Sequence, residues 1–468
     1  MSRGPVFPNR FSCAVLALAA AAFAGAAEAQ SLSEAYVGAL RSDPEFAGAI
    51  ADRDGALENE GLARALFRPR IVLSGNAGYS DVQSDGQRTA SPSLSVPSDT
   101  RGSSGAVVVG LEQPIIDGAA RAQGRQLLAG ARAGDHAYEA QRQALAVRVV
   151  KAYFDVLRRE AQLTALRSQQ AAADLERRAA QARFDAGRAR ITDVREAQAR
   201  ADAAAAQIIG SEAQRELAVS TFRELTGLEA ADLMPPGPGF APQPPGNSLG
   251  VWLRQAELHA PSALARQEQL TASLAATDRY GWAEQIKVTA QVSAGQVWRG
   301  GSASLMGGFY SPPDSASGFV AGVKLQMPLY TGGSLDAQRR QAAADARNSR
   351  AELETTLRDI RLQVEQAWRA QDSGARQVAA LRIALASAQL QQQAAVTGLE
   401  VGMRTQSDVL AAQAQVFDVQ RQLAEAIYDY GESLFGLSAA AGELTTERFA
   451  EIERTLLVNS PEAVPVAR

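Results

Sequence analysis

Two short turns carry the most suggestive polar chemistry of this chain. AGRARITDV (Ala186 to Val194) and VGMRTQSDV (Val401 to Val409) each set an arginine near a hydroxyl–carboxylate pair, Thr192-Asp193 in the first and Ser407-Asp408 in the second. A hydroxyl cap followed by a carboxylate in the first turn starts a helix and suits its dipole. That chemistry is electrostatic and breaks no covalent bond. Elsewhere the reactive groups stand alone: His136 and His259, the two histidines, lie on separate helical stretches, and Cys13 is the one cysteine. The sequence has no cluster at metal-ligand spacing, no nucleophile motif and no phosphate-binding glycine loop. It therefore reads as neither an enzyme nor a metal or cofactor protein. Lys and Arg total 47 against 51 Asp and Glu, a net charge of −4 spread without long runs, which gives no electrostatic footprint for nucleic acid.

The two turns belong to a larger repetition. LEQPIIDG (Leu111 to Gly118), an Ala-rich stretch, the first turn and Thr226-Gly227 return as LQMPLYTG (Leu325 to Gly332), a second Ala-rich stretch, the second turn and Ala441-Gly442. SLSEAYVGALRSDP (Ser31 to Pro44) returns, degraded, as SLGVWLRQAELHAP (Ser248 to Pro261). A constant offset of about 215 residues is too long for a solenoid, so each copy is half of one architecture. The expected division is a signal at 1–29, a first repeat at 30–227, a Pro-rich extended linker at 228–247, a second repeat at 248–442 and a tail at 443–468 without a sharp signal. In the signal, Arg3 and Arg10 precede an apolar core from Cys13 to Ala22, and Ala27-Glu28-Ala29 is a small-x-small cleavage site before Gln30. Cys13 leaves with it, so the mature chain has neither a thiol nor a lipid-anchor cysteine.

The elements that hold the turns follow from periodicity. After the signal no helix-length apolar run remains, so a membrane-embedded form must use strands. Four half-apolar strands are expected, two per copy. Ile286, Val288, Ala290 and Val292 alternate with Lys287, Thr289, Gln291 and Ser293, and Phe319, Ala321, Val323, Leu325 and Met327 form the apolar side of the fourth. Ile71, Leu73, Ala77 and Tyr79, then Val107, Val109 and Leu111, repeat the pattern more faintly. A period of two with one apolar face suits a barrel strand between lipid and a wet lumen, and equally a soluble hairpin on a core. Ser80 to Gly105 and Gly300 to Gly318, rich in Ser, Gly and Pro, read as loops. Trp298, Phe309, Tyr310 and Phe319 near one end, with Trp282 and Tyr330 near the other, fit interfacial girdles.

Pro114 and Pro328 should end the ladders, and Asp117 and Thr331 should cap the helices that follow. From Ala119 to Ala186 nothing strongly breaks a helix, which at about 1.5 Å per residue reaches roughly 100 Å. Leu145, Val149, Val150, Tyr153, Phe154 and Leu157 recur at helical spacing. Val194, Ala197, Ala201, Ala204 and Ile208, and then Val409, Ala412, Val416, Val419, Leu423, Ala426 and Tyr430, form coiled-coil seams. Ser31 and Glu34 make a capping box, and Asp43-Pro44 and Ala260-Pro261 should break the short helices.

Helix, strand, strand, long helix, turn and return helix, repeated once behind a cleavable signal, resemble the TolC-like outer-membrane channel family. The match runs from Ser31 to about Leu444, and RFDAGRARITDV (Arg183 to Val194) and GLEVGMRTQSDVL (Gly398 to Leu410) resemble its two helix-turn-helix tips. The resemblance implies an α+β membrane protein: an internally duplicated protomer with four transmembrane β-strands and long coiled-coil helices. Three copies would close a twelve-stranded β-barrel, continuous with a twelve-helix periplasmic α-barrel. The strands alone demand an oligomer, since single-chain barrels start at about eight strands; only the resemblance chooses three.

The resemblance also implies roles. Gly187, Arg188, Gly402 and Met403 would meet the periplasmic adaptor of an inner-membrane pump. Arg404 would bond to Thr192 and Asp193 to hold the entrance closed, and Asp408 would ring the constriction. Leu399 stands where some members carry a closing tyrosine, and Ala411 where they carry a second carboxylate, which points to a looser entrance. The expected function is a passive trimeric exit duct in the bacterial outer membrane, extending into the periplasm and serving an ABC-driven type I secretion system for proteins. The alternative is the outer-membrane component of a proton-driven multidrug efflux pump. A periplasmic or surface coiled-coil structural protein is the rival from another class.

Overall fold

The structure is a computed structural model that describes residues 30–88, 95–237, 240–305, 308–310 and 315–457. The expected signal at 1–29 lies outside the described residues. Twice the chain runs through the same order. First come α1 (Leu32–Ser42), α2 (Pro44–Ala65), β1 (Arg70–Arg88), β2 (Ser95–Asp117), α3 (Gly118–Asp185) and α4 (Ile191–Thr226). Then come α5 (Leu249–His259), α6 (Pro261–Asp278), β3 (Lys287–Leu305), a short β4 (Gly308–Tyr310), β5 (Ser315–Gln326), α7 (Ser334–Glu400) and α8 (Gln406–Ala440), with α9 (Thr446–Leu457) closing the chain. Two compact units result, and each draws on both expected repeats: Met1–Ile50, Glu139–Ala260 and Asp359–Arg468 form one, Ala51–Tyr138 and Pro261–Arg358 the other.

The second unit holds an antiparallel sheet in which β1 pairs with β2, β2 with β3, and β3 with both β4 and β5. Register decides which side chains share a face. Ile71, Leu111, Val292 and Ala321 stand opposite one another across four strands, and Leu73, Val109, Ala294 and Phe319 form the next row. Directly opposed residues share a face, so the expected half-apolar patterns merge into one apolar surface. That surface is bare, with Phe319 77%, Leu325 69% and Val323 68% exposed. The other face mixes small, polar and valine side chains, and there Gln291 Nε2 donates to Glu112 Oε1 at 3.1 Å. Among the described residues no helix is long and apolar enough to cross a membrane. Trp282, Trp298, Phe319 and Tyr330 are exposed; the side chains of Phe309 and Tyr310 lie outside the described residues.

Three expectations at the strand ends are corrected. The polar segments read as loops are largely paired, since β1 continues to Arg88, β2 resumes at Ser95 and β3 runs to Leu305. Ladder bonds use backbone groups, so small polar side chains do not end a strand. Second, Pro114 does not end β2: it stands opposite Thr289, and the register shifts between Pro114 and Ile116, so a bulge accommodates the missing N–H. Pro328 does lie beyond the end of β5. Asp117 caps as expected, its Oδ1 accepting from the Ala120 N–H at 2.9 Å, with Lys287 Nζ 3.5 Å away. Third, Thr331 does not adjoin its helix. Gly332 and Gly333 take φ of 62 and 83 and postpone α7 to Ser334, and the Thr331 hydroxyl reaches the Leu335 N–H only at 3.5 Å.

In the first unit the seams bury largely as periodicity demands, with Val409 and Leu423 of α8 only half-buried. Leu145, Val149, Val150, Tyr153, Phe154 and Leu157 of α3 are buried, as are Val194, Ala197, Ala201, Ala204 and Ile208 of α4 and Ala412, Val416, Val419 and Ala426 of α8. Each large side chain of this kind contributes about 1.5–3 kcal/mol when fully buried. Helix α3 is tied to α4 by Glu160–Arg215 at 2.7 Å and Arg167–Glu212 at 2.9 Å, and to α8 by Arg158, which pairs with Asp429 at 2.9 Å and Glu432 at 2.6 Å. Burial pushes the Glu432 carboxyl up, and Arg158 opposes the shift. The Ser31–Glu34 capping box forms, and the helices break at Asp43-Pro44 and Ala260-Pro261 as expected.

The described residues of the linker at 228–247 form neither a helix nor a strand, Asp232 takes a left-handed φ of 48 rather than an extended conformation, and the segment is pinned at several points. Its Leu233 bridges Gln30, Gly237 N–H donates to Leu456 O at 3.2 Å, the Tyr430 hydroxyl donates to Gln243 O at 2.8 Å, and Trp368 Nε1 donates to Asn247 O at 3.1 Å. The tail, where no sharp signal is expected, forms α9: Phe449, Ile452 and Leu456 have helical spacing behind a Thr445 cap, and all three are buried. Phe449 stacks on Tyr36 with centroids 4.9 Å apart, and Glu453 accepts from the Ser33 N–H at 3.0 Å.

Candidate functional site: the paired helix tips

Both long helices end in the same way. At the first tip Gly187 N–H donates to Phe184 O at 2.8 Å and Arg188 N–H to Arg183 O at 2.7 Å; at the second Gly402 N–H donates to Leu399 O at 3.1 Å and Met403 N–H to Gly398 O at 2.8 Å. These paired bonds satisfy the last carbonyls of a helix and need a left-handed residue at the glycine. Gly187 and Gly402 supply it at φ 72 and 78. The turn thereby projects Arg188 and Met403 into solvent, Met403 being 80% exposed.

The return helices start differently. Thr405, rather than Ser407, caps α8. Its hydroxyl accepts from the Asp408 N–H at 3.3 Å, and Asp408 Oδ2 accepts from the Thr405 N–H at 2.8 Å and its hydroxyl at 2.9 Å. These bonds, with Arg404 nearby, hold the Asp408 carboxyl below the ordinary carboxylate range. At the first tip Arg190, not Thr192, occupies the capping position, and it offers no acceptor. Asp193 Oδ2 still accepts from the Arg190 N–H at 3.1 Å, while Thr192 only reaches Asp193 at 3.4 Å. The capping expectation was therefore right for both carboxylates and displaced by two residues for both hydroxyls. Asp at the third helical position was the signal that could have placed them.

Among the described residues no hydrogen bond joins Arg404 to Thr192 or Asp193. Instead the Arg404 stem folds over Gly398, where an added Cβ would meet its Cγ at 2.6 Å. The contact between the tips that the sequence did not reveal is Arg200 Nη2 to Ser407 Oγ at 3.5 Å, with Arg200 also paired to Glu196 at 2.6 Å. Beside it lies a cavity of 270 Å³ lined by Glu176, Arg183, Arg190, Asp193, Thr405 and Ser407 among others. Burial pushes the Glu176 carboxyl up, opposed by Arg183 at 3.5 Å. Charged side chains of both signs line this cavity beside exposed turns, an arrangement that can hold charged or protein partners. Among the described residues no group of His, Cys, Asp and Glu could hold a metal ion.

The comparisons with known proteins agree with this geometry. The family model described as outer membrane efflux protein matches residues 35–228 and 262–443. The chain is 28% identical over 436 residues to outer membrane protein TolC of Vibrio cholerae, covering 92% of this chain and 94% of that protein. It is 28% identical over 421 residues to the alkaline protease secretion protein AprF of Pseudomonas aeruginosa, covering 89% and 85%. The solved outer membrane protein VceC of Vibrio cholerae superposes with a TM-score of 0.72 at 19% identity, covering 88% of this chain and 96% of that one. The chain belongs to the outer membrane efflux protein family: it is a channel protein that spans the outer membrane into the periplasm, and it is not an enzyme.

Proposed function

We propose that three copies of this chain assemble into a passive exit duct, a twelve-stranded barrel continued by twelve helices, at the outer end of a tripartite export system. The observation that carries the proposal is the sheet, whose apolar face is bare and whose outer strands β1 and β5 each pair on one side only among the described residues. Open edges are not tolerated in lipid, and only other chains can close them. Light scattering with the detergent subtracted tests the assembly: a trimer is expected, and a stable monomer refutes the barrel.

The proposed cargo is unfolded protein delivered by an ABC-driven pump through a periplasmic adaptor. The likeness to a protein named for protease secretion supports this reading. In a strain lacking its own channel, the gene should restore export of a type I substrate to the medium. Restored drug tolerance without protein export favours the efflux alternative.

Gly187, Arg188, Gly402 and Met403 are the proposed adaptor-docking tips, and Thr192, Asp193, Arg404 and Asp408 the proposed gate. Because Arg404 does not reach Thr192 or Asp193 within one chain, its partner in the gate is the turn of a neighbouring copy. Arg404→Ser should then give larger or more frequent openings in planar bilayers. Unchanged conductance would withdraw Arg404 from the gate.

A further inference from the structure

The first residue of the mature chain sits in an unusual place. Gln30 forms a parallel bridge with Leu233, its N–H donating to Asp232 O at 3.1 Å and its carbonyl accepting from the Tyr153 hydroxyl at 2.9 Å and the Met234 N–H at 3.4 Å. Its side-chain Oε1 is buried and has no hydrogen-bond partner. Gln30 is half-buried, with that oxygen folded against the protein rather than held out in water. Leu233 and Leu32 are buried beside this segment.

Cleavage after Ala29 changes the chemistry of this site. It would replace one N–H with an ammonium carrying three, at a position where the structure offers one backbone acceptor. Two carboxylates of this region are already engaged: Glu34 accepts from the Ser31 N–H at 3.1 Å and Glu453 from the Ser33 N–H at 3.0 Å. One backbone acceptor cannot satisfy three ammonium N–H groups, and an α-amine, with an ordinary pKa of about 7.7–8.0, already supplies some neutral nucleophile near neutral pH.

We propose that Gln30 is a modification site and that the mature chain begins with a pyroglutamyl lactam. The neutral α-amine attacks Cδ of its own side-chain amide, the N–Cδ bond forms, the Cδ–Nε2 bond breaks, and ammonia leaves with the transferred proton. No oxidant, reductant or second substrate is required. The lactam keeps the single N–H that Asp232 O accepts, removes the charge, and leaves the Gln30 carbonyl free for Tyr153 and Met234. It also denies aminopeptidases their substrate amine at the point where the N-terminus meets the linker and α9.

The proposal rests on cleavage after Ala29, and one experiment separates the two. Protein purified from outer membranes is denatured, acylated at free amines and only then digested, and the N-terminal peptide is identified by mass spectrometry. Most molecules should begin at Gln30, lack one ammonia and carry no N-terminal acyl group. The Gln30→Ser protein, which cannot form the ring, should be acylated there. An acylated, unclosed Gln30 in most molecules overturns the lactam and leaves the cleavage reading intact. A chain that begins at another residue overturns both.

Discussion

Leu325 and Leu145 are the same residue type under opposite conditions. Leu325 stands 69% exposed on the sheet, whereas Leu145 is 0% exposed inside the helical unit. Both obey the periodicity of their element, yet only the helical one is covered by its own chain. The difference teaches that the helix seams are covered by their own chain, whereas the sheet presents an apolar face to an environment the chain does not supply. Periodicity alone could not separate a lipid-facing strand from one lying on a soluble core.

The comparison breaks or sharpens under substitution. Leu145→Ala should destabilise the protein by about 2–5 kcal/mol, through lost transfer energy and the cavity left behind. Leu325→Ala should cost far less in detergent. Melting followed by circular dichroism measures both, and equal losses would mean that the sheet face is a protein core. Val323→Arg should impair membrane assembly by about 2–4 kcal/mol per chain, since a charge is worst on the lipid side. Thr289→Arg, on the opposite face, should be tolerated. Counting assembled oligomers extracted from membranes decides; equal assembly would remove the assignment of faces, and failure of Thr289→Arg alone would invert it.

Smaller effects test the tips. Thr405→Ala should cost about 0.5–2 kcal/mol by removing the cap of α8, whereas Thr192→Ala should be close to neutral because Thr192 caps nothing. Hydrogen exchange at the first turns of α4 and α8 would show it, and equal protection loss in the two variants would refute the displaced caps. The smallest effect is in acid. The folded Asp408 pKa lies below the ordinary 3.8, so its contribution is fully present above that pH and is lost as pH falls through the lower folded value. Any cation selectivity owed to Asp408 should therefore persist to below pH 3.8, and its loss should move to higher pH in Thr405→Ala. A profile unchanged by that substitution would show that Thr405 does not set the carboxylate.

Local signals determined a great deal. The duplication, the four long helices, the breaks at Asp43-Pro44 and Ala260-Pro261, the alanine seams and the alternating strands are properties of neighbouring residues, and they were legible because periods of 3.6 and two, prolines and caps act within a few positions. The tips were legible as turns because only a residue tolerant of positive φ closes such a helix end, and Gly187 and Gly402 were in place.

Tertiary structure decided the rest. No local rule says that Ile71, Leu111, Val292 and Ala321 form one row, since residues from distant parts of the chain meet only through backbone ladders. The bulge that carries Pro114 through β2 depends on its partner strand, and the pinned linker on hydroxyls of Tyr153 and Tyr430 far away in sequence. Helix α9 was missed because twelve residues with one apolar stripe are marginal alone, and Phe449, Ile452 and Leu456 become a core only against neighbours such as Tyr36 and Phe435. Where Arg404 and Arg200 point was likewise beyond the sequence, because a long flexible side chain takes its partner from whatever the fold brings within reach, and here the fold brings Ser407 to Arg200 and Gly398 to Arg404.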